Sequence, residues 1–206
     1  VLLKNKDKLL PLKKDIRTLA VIGPNADNVY NMLGDYTAPQ ADGTVVTVLD
    51  GIRQKVSKET RVLYAKGCAV RDSSRTGFKD AIETARNADA VVMVMGGSSA
   101  RDFSSEYEET GAAKVTINQI SDMESGEGYD RATLHLMGRQ LELLEEISRL
   151  GKPVVLVLIK GRPLLMEGAI QEAEAIVDAW YPGMQGGNAV ADVLFGDYNP
   201  AGRLTL

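Results

Sequence analysis

A glutamate flanked by glycines is the residue in this sequence best placed to do chemistry: Glu127, in Ser125-Gly126-Glu127-Gly128-Tyr129-Asp130-Arg131. With no side chain on either neighbour, its backbone can carry a carboxyl group up against a bulky substrate. A carboxyl presented in this way suits general acid catalysis, in which it protonates a leaving group and is tuned to the task by burial and by neighbouring charges. Asp102, Glu106, Glu108, Glu109, Asp122, Glu124 and Asp130 crowd the same stretch, and loop carboxylates are ordinarily solvated surface. Spacing alone therefore leaves two readings of Glu127 open, a catalytic acid and a surface carboxylate.

Other chemistries fare worse. One cysteine, Cys68, permits no internal disulfide, and one histidine, His135, permits no His/Cys metal cluster, so a metal site would have to be all oxygen. His135 alternates with Leu134 and Leu136, the pattern of a half-exposed residue rather than a catalytic base. Gly97-Ser98-Ser99-Ala100 lacks the closing glycine of a nucleophile elbow. No strand is followed by Gly-x-Gly-x-x-Gly or by Gly-x-x-x-x-Gly-Lys-Ser/Thr, which argues against a dinucleotide or P-loop site. Gly96-Gly97 and Gly186-Gly187 read as turn glycines chosen for positive φ or for close packing.

The elements that must position Glu127 follow from hydrophobic pattern. Leu19 to Ile22, Val62 to Ala65, Ala90 to Met95 and Val154 to Ile159 are short, β-branched apolar runs of strand length, and a fifth spans Ala175 to Trp180. Between them lie helically spaced sets: Val48, Leu49, Ile52 and Val56; Phe78, Ile82 and Ala85; Leu141, Leu144, Ile147 and Leu150; Ala189, Val190, Val193 and Leu194. Alternating strand and helix predicts a three-layer αβα sandwich around an open, mostly parallel sheet of about five or six strands. In such sheets ligands bind where loops converge at the strands' carboxyl ends. The connection from Gly96 to Met137 is roughly forty residues long, a length usually reserved for functional or disordered loops.

The composition, 44% hydrophobic and 25% charged, fits one compact domain over residues 1–206. A net charge of −4 offers no footprint for nucleic acid. No apolar run approaches the roughly 18 to 20 residues needed to span a bilayer. The apolar opening at Val1 and the strand-like Arg203-Leu204-Thr205-Leu206 predict a domain cut from a longer protein at both ends.

Four ordered segments resemble the second domain of glycoside hydrolase family 3, the β-glucosidase and β-xylosidase family. They are Val1 to Asn5 with Leu9-Leu10-Pro11-Leu12; Leu19 to Ala26; Ser125 to Arg131; and Trp180 to Gly187 with Ala191 to Leu204. The resemblance implies a two-domain active site in which a preceding (β/α)8-type barrel, absent here, supplies the carboxylate nucleophile and most of the sugar-binding groups. This sandwich would supply the acid/base. Glu127 matches that glutamate, with Glu124 as the fallback, and Asp130 and Arg131 match residues expected to pair and fix the loop. A retaining mechanism, carboxyl groups about 5 to 5.5 Å apart, no metal and no organic cofactor are implied. So are a terminal β-D-glucosyl or β-D-xylosyl substrate, inactivity of the isolated domain, and a periplasmic or secreted location. A non-catalytic carbohydrate-binding or structural α/β domain is the alternative, and a nucleotide-binding or signalling domain on the same open sheet is more remote.

Overall fold

A computed structural model of the chain describes residues 1–100, 109–110 and 122–204. Asp102, Glu106, Glu108 and most of the segment from Arg101 to Asp122 lie outside the described residues. Within them the order is β1 (Leu2–Asn5), β2 (Thr18–Ile22), α1 (Val48–Lys55), β3 (Arg61–Ala65), α2 (Phe78–Arg86), β4 (Ala90–Gly96), α3 (Gln140–Ser148), β5 (Val154–Ile159), α4 (Ala169–Glu172), β6 (Ala175–Asp178) and α5 (Gly186–Phe195). The strands form one sheet in the order β1-β6-β5-β4-β2-β3, parallel throughout except for the antiparallel pair β1–β6.

The central strands β2, β4 and β5 are buried along their whole length, which is why they read as continuous apolar runs rather than alternating ones. The period of two instead divides their side chains between two cores. Val21, Val92, Val94, Val155 and Val157 pack beneath α1 and α5 with Leu49, Ile52, Val190 and Leu194. Ile22, Val91, Met93, Met95, Leu156 and Leu158 pack beneath α2, α3 and α4 with Phe78, Leu143, Leu144 and Ile147. The result is the expected three-layer sandwich. Among the described residues no helix is long and apolar enough to cross a membrane.

Two strands differ from the sequence pattern. β1 supplies the sixth strand, a four-residue edge with too little pattern to register as one. β6 stops at Asp178 instead of running on to Trp180, because Trp180 takes a left-handed backbone conformation (φ 54°). The side chains at this strand end are also spoken for: Lys160 and Asp178 form a buried ion pair at 2.9 Å, and the Lys160 ammonium lies 3.6 Å from the Trp180 ring centroid.

Gly186 and Gly187 sit in the first turn of α5, not in a turn between elements, and the reason is close packing. A Cβ on Gly187 would fall 1.9 Å from the Thr47 carbonyl oxygen, and one on Gly51 in α1 would fall 2.1 Å from the Gly187 carbonyl oxygen. The two helices thus meet backbone to backbone. Alanine at Gly51 would improve helix propensity by about 1 kcal/mol, but backbone cannot retreat from a contact that short, and forced overpacking costs about 1–3 kcal/mol or more. Gly51→Ala is therefore expected to lower stability by about 2 kcal/mol net, read as a fall in the thermal midpoint. An unchanged or raised midpoint would mean that α1 and α5 can slide apart at little cost.

Candidate active site at the carboxyl edge of the sheet

The loops leaving β2, β4 and β5 are tied together by buried amides. Asn25, just after β2, donates from its Nδ2 to the carbonyls of Gly97 (3.0 Å) and Ile159 (3.2 Å), beyond β4 and at the end of β5. Asn31 donates to the Asn25 Oδ1 (2.7 Å), and the Ser98 hydroxyl donates to the Asn31 Oδ1 (2.6 Å). A fully satisfied polar network of this kind fixes geometry, since any member left unpaired in the interior is costly. Gln140 does the same on the far side, accepting from the Gly96 N–H (2.9 Å) and donating to the Gly96 carbonyl (2.8 Å).

The segment carrying Glu127 is clamped onto this platform. The N–H groups of Glu124 and Ser125 both donate to the Ser98 carbonyl, at 2.8 and 3.4 Å. The Asp122 carboxylate accepts from the N–H groups of Val70 and Arg71, and the Arg71 guanidinium donates to the Met123 carbonyl at 2.7 Å. Glu124 then turns inward, with its carboxylate lying against the Cα of Gly97, where any side chain would collide with it. There it meets the Arg131 guanidinium at 2.5 Å, and both side chains are almost wholly buried (1% and 2% exposed). Arg131 also donates to the carbonyls of Thr133 and His135.

Between these two anchored residues the chain makes a tight turn, closed by the Tyr129 N–H donating to the Gly126 carbonyl at 3.2 Å. Gly126 and Gly128 both take positive φ, 117° and 80°. Glu127 is carried at the tip, exposed. Its N–H donates to the Asp35 Oδ2 (3.2 Å), and its Oε2 accepts from the Tyr36 hydroxyl (3.1 Å). Asp35, Tyr36, Ser99, Ser125, Glu127 and Arg162 line a cleft of about 380 Å³, together with Gly126, Gly161 and Tyr181.

Asp130 and Arg131 do not pair with each other as expected. The Arg131 guanidinium goes inward to Glu124, while the Asp130 carboxylate accepts from the Arg131 backbone N–H and from Arg162, each at 2.8 Å. Those donors, the backbone N–H first and the Arg162 charge second, hold the Asp130 carboxyl below its ordinary range. Glu124, the fallback acid, is sealed against Arg131 and Ser125 rather than facing the cleft. Cys68 is buried, its thiol pushed up to about 12 chiefly by that burial, so it is no nucleophile at neutral pH. His135 is exposed, and Arg131 engages its carbonyl. Among the described residues no group of three or more His, Cys, Asp or Glu side chains is arranged to hold a metal ion.

Asp35, Tyr36, Ser99 and Arg162 were not singled out from sequence as site residues. Arg162 and Tyr181 fall in loops at the strand ends, where a ligand crevice was expected, but Asp35 and Tyr36 lie beyond the short turn after β2. The one signal for them was Gly34-Asp35-Tyr36-Thr37, a turn-rich quartet downstream of a buried strand.

The Tyr181 ring forms the cleft's floor, filling space that a Cβ on Gly34 or on Gly161 would invade at 2.7 and 2.5 Å. Its hydroxyl is enclosed beside the Ser99 and Ser125 side chains, and burial pushes the Tyr181 phenol upward.

The fold and this edge define a three-layer α/β sandwich domain with a loop-borne carboxylate over an open cleft. The sequence profile described as the glycosyl hydrolase family 3 C-terminal domain matches residues 1–206, and the chain belongs to that family. It is 42% identical to a β-xylosidase of Formosa agariphila and 35% identical to a periplasmic β-glucosidase of Salmonella typhimurium. In each case all of this chain aligns with 26% of the relative. A solved family 3 exo-β-xylosidase, XlnD, in complex with a xylobiose aziridine activity-based probe, superimposes with a TM-score of 0.79 at 32% identity, over 99% of this chain and 23% of that one. The chain thus spans about a quarter of the length of these relatives.

Proposed function

We propose that residues 1–206 form one sandwich domain of a longer retaining exo-β-glycosidase and supply its general acid/base, Glu127. The observation that carries this reading is the tip position of Glu127: an exposed carboxylate on a turn whose two ends are anchored, facing a cleft wide enough for a sugar. In the first step Glu127 gives its proton to the glycosidic oxygen as the C–O bond breaks, while a carboxylate from the preceding barrel domain bonds to the anomeric carbon. In the second step the Glu127 carboxylate takes a proton from water as that water attacks the anomeric carbon and frees the sugar. Glu124 holds the loop and takes no part in proton transfer. Asp130 and Arg131 position the loop through Arg162 and Glu124.

The substrate class is a terminal β-D-glucosyl or β-D-xylosyl residue of an oligosaccharide or glycoside, supported by relatives named β-xylosidase and β-glucosidase. The isolated domain is inactive, because it lacks both the nucleophile and the groups that bind and distort the sugar. A periplasmic or secreted location is supported by the periplasmic β-glucosidase among the relatives. The test is Glu127→Gln in the full-length enzyme, assayed on β-glycosides with good and poor leaving groups. Unchanged turnover of both would return this domain to a non-catalytic, carbohydrate-binding or structural role.

A further inference from the structure

A glutamate between two glycines reads from sequence as an unhindered acid, and the structure gives one of those glycines a second task. Gly126 takes φ 117°, and a Cβ placed on it would fall 2.8 Å from the Asp35 Oδ2 and 2.6 Å from the Met123 methyl carbon. The missing side chain is the space into which the Asp35 carboxylate fits. From there its Oδ2 accepts the Glu127 N–H at 3.2 Å. The tip of the turn is therefore held as well as its two ends, and it is held at the backbone of the residue that carries the acid.

Asp35 is itself fixed. Its Oδ1 accepts the Tyr36 N–H (2.8 Å), so its two oxygens face two backbone donors, one beside it in its own loop and one 92 residues along the chain. Behind it the N–H groups of Leu33 and Gly34 both donate to the Tyr30 carbonyl at 3.1 Å, and the Thr37 hydroxyl donates to the Gly34 carbonyl at 3.2 Å. The Asn31 amide ties the same loop to Asn25 and Ser98 on the platform. Hydrogen bonds to a carboxylate are charge-assisted and roughly twice as strong as those between neutral groups. Asp35 is half-buried in the wall of the cleft, where such bonds are stronger than in open water.

We propose that Asp35 is a positioning residue for the acid: its carboxylate grips the Glu127 backbone and sets where the Glu127 side chain stands over the cleft. The inference rests on the reading of Glu127 as the acid. Asp35 acts through Glu127 and exchanges no proton with the substrate. The reason is the steep dependence of proton transfer on distance. Donor and acceptor have to come within about 2.6 to 3.2 Å, and misplacement by about 1 Å can cost about a hundredfold in rate. Asp35 restrains the tip of the turn against such a tilt, adding to the moorings at Glu124 and Arg131 on either side of it.

The experiment uses the full-length enzyme and the substitutions Asp35→Ala and Asp35→Asn, each alone and combined with Glu127→Gln. The quantity measured is kcat/KM on aryl β-glycosides ranging from poor to activated leaving groups, and on a glycosyl fluoride, whose departure needs no proton from the enzyme. Asp35→Ala is expected to lose about thirtyfold on the poorest leaving group and less than about threefold on the fluoride. Asp35→Asn, whose amide oxygen can accept one of the two N–H groups but whose NH2 repels the other, should fall between Asp35→Ala and the wild type. In the Glu127→Gln background Asp35→Ala should change turnover of the poor leaving group by less than about twofold, because a residue that works through the acid then has nothing to aim. A merely structural role predicts the same loss on the fluoride as on poor leaving groups, and a loss that persists beside Glu127→Gln. Either result overturns the inference, as does full activity of Asp35→Ala on poor leaving groups while Glu127→Gln is impaired. A silent Glu127→Gln is a different failure: with Asp35 intact it removes the acid assignment, and the role of Asp35 falls with it.

Discussion

Glu127→Gln in the full-length enzyme is expected to cut kcat/KM on a β-glycoside with a poor leaving group by about a thousandfold, or about 4 kcal/mol of transition-state stabilisation. Glutamine is close to isosteric and can still accept the Tyr36 hydroxyl, so the loss isolates proton transfer from loop geometry. An activated aryl leaving group departs without much help, and its first step should suffer far less. The second step then becomes limiting for want of a base, so kcat falls and KM falls with it as the glycosyl-enzyme accumulates. Azide, which attacks without needing a proton removed, should restore turnover and yield the β-glycosyl azide. Normal hydrolysis of both substrates would move the acid elsewhere in the enzyme.

Arg131→Met carries the second large effect, this time on stability. The substitution leaves the Glu124 carboxylate buried without its 2.5 Å partner and takes donors from two backbone carbonyls. Breaking a buried pair from one side costs about 3–5 kcal/mol, because the remaining charge is stranded in the interior. In a domain of this size that lowers the thermal midpoint by roughly 10 °C. Activity on poor leaving groups should fall at least about tenfold as the turn carrying Glu127 loses one of its two moorings. The double variant Glu124→Leu/Arg131→Met should regain much of the stability, since apolar replacement of both members of a buried pair is often close to neutral. A single-variant cost below about 1 kcal/mol would mean that water reaches the pair, as at a surface bridge.

The sheet was legible in the sequence because its central strands are buried on both faces. Val154 to Ile159 and Ala90 to Met95 could hardly be anything else, and the helices between them carried the matching period. β1 was not legible, since four residues on a sheet edge leave no pattern to read. At the site, the resemblance in Ser125 to Arg131 carried Glu127, Asp130 and Arg131 together, but it carried no geometry. Adjacent in the chain, Asp130 and Arg131 invited a pairing that the turn forbids: the two side chains leave in different directions, one inward to Glu124 and one outward to Arg162. Asp35 and Tyr36 lie more than ninety residues from Glu127 in sequence, with separations of 92 and 91. Only the parallel pairing of β2 with β4 brings their loops together, a contact that no local pattern encodes.

The antiparallel edge strand gives the fold a direction of delivery. Running opposite to its neighbours, β1 places Asn5 beside Ala175 at the start of β6, and Leu2 beside Val177 near its end. The Val1 nitrogen accordingly lies 2.7 Å from the Asp178 carbonyl, at the rim where β6 stops and the cleft-bearing loops begin. A parallel β1 would have put that point on the opposite rim, a full strand length from Glu127. Any residues joined ahead of Val1 would therefore arrive on the rim that carries the Glu127 cleft without having to round the sandwich.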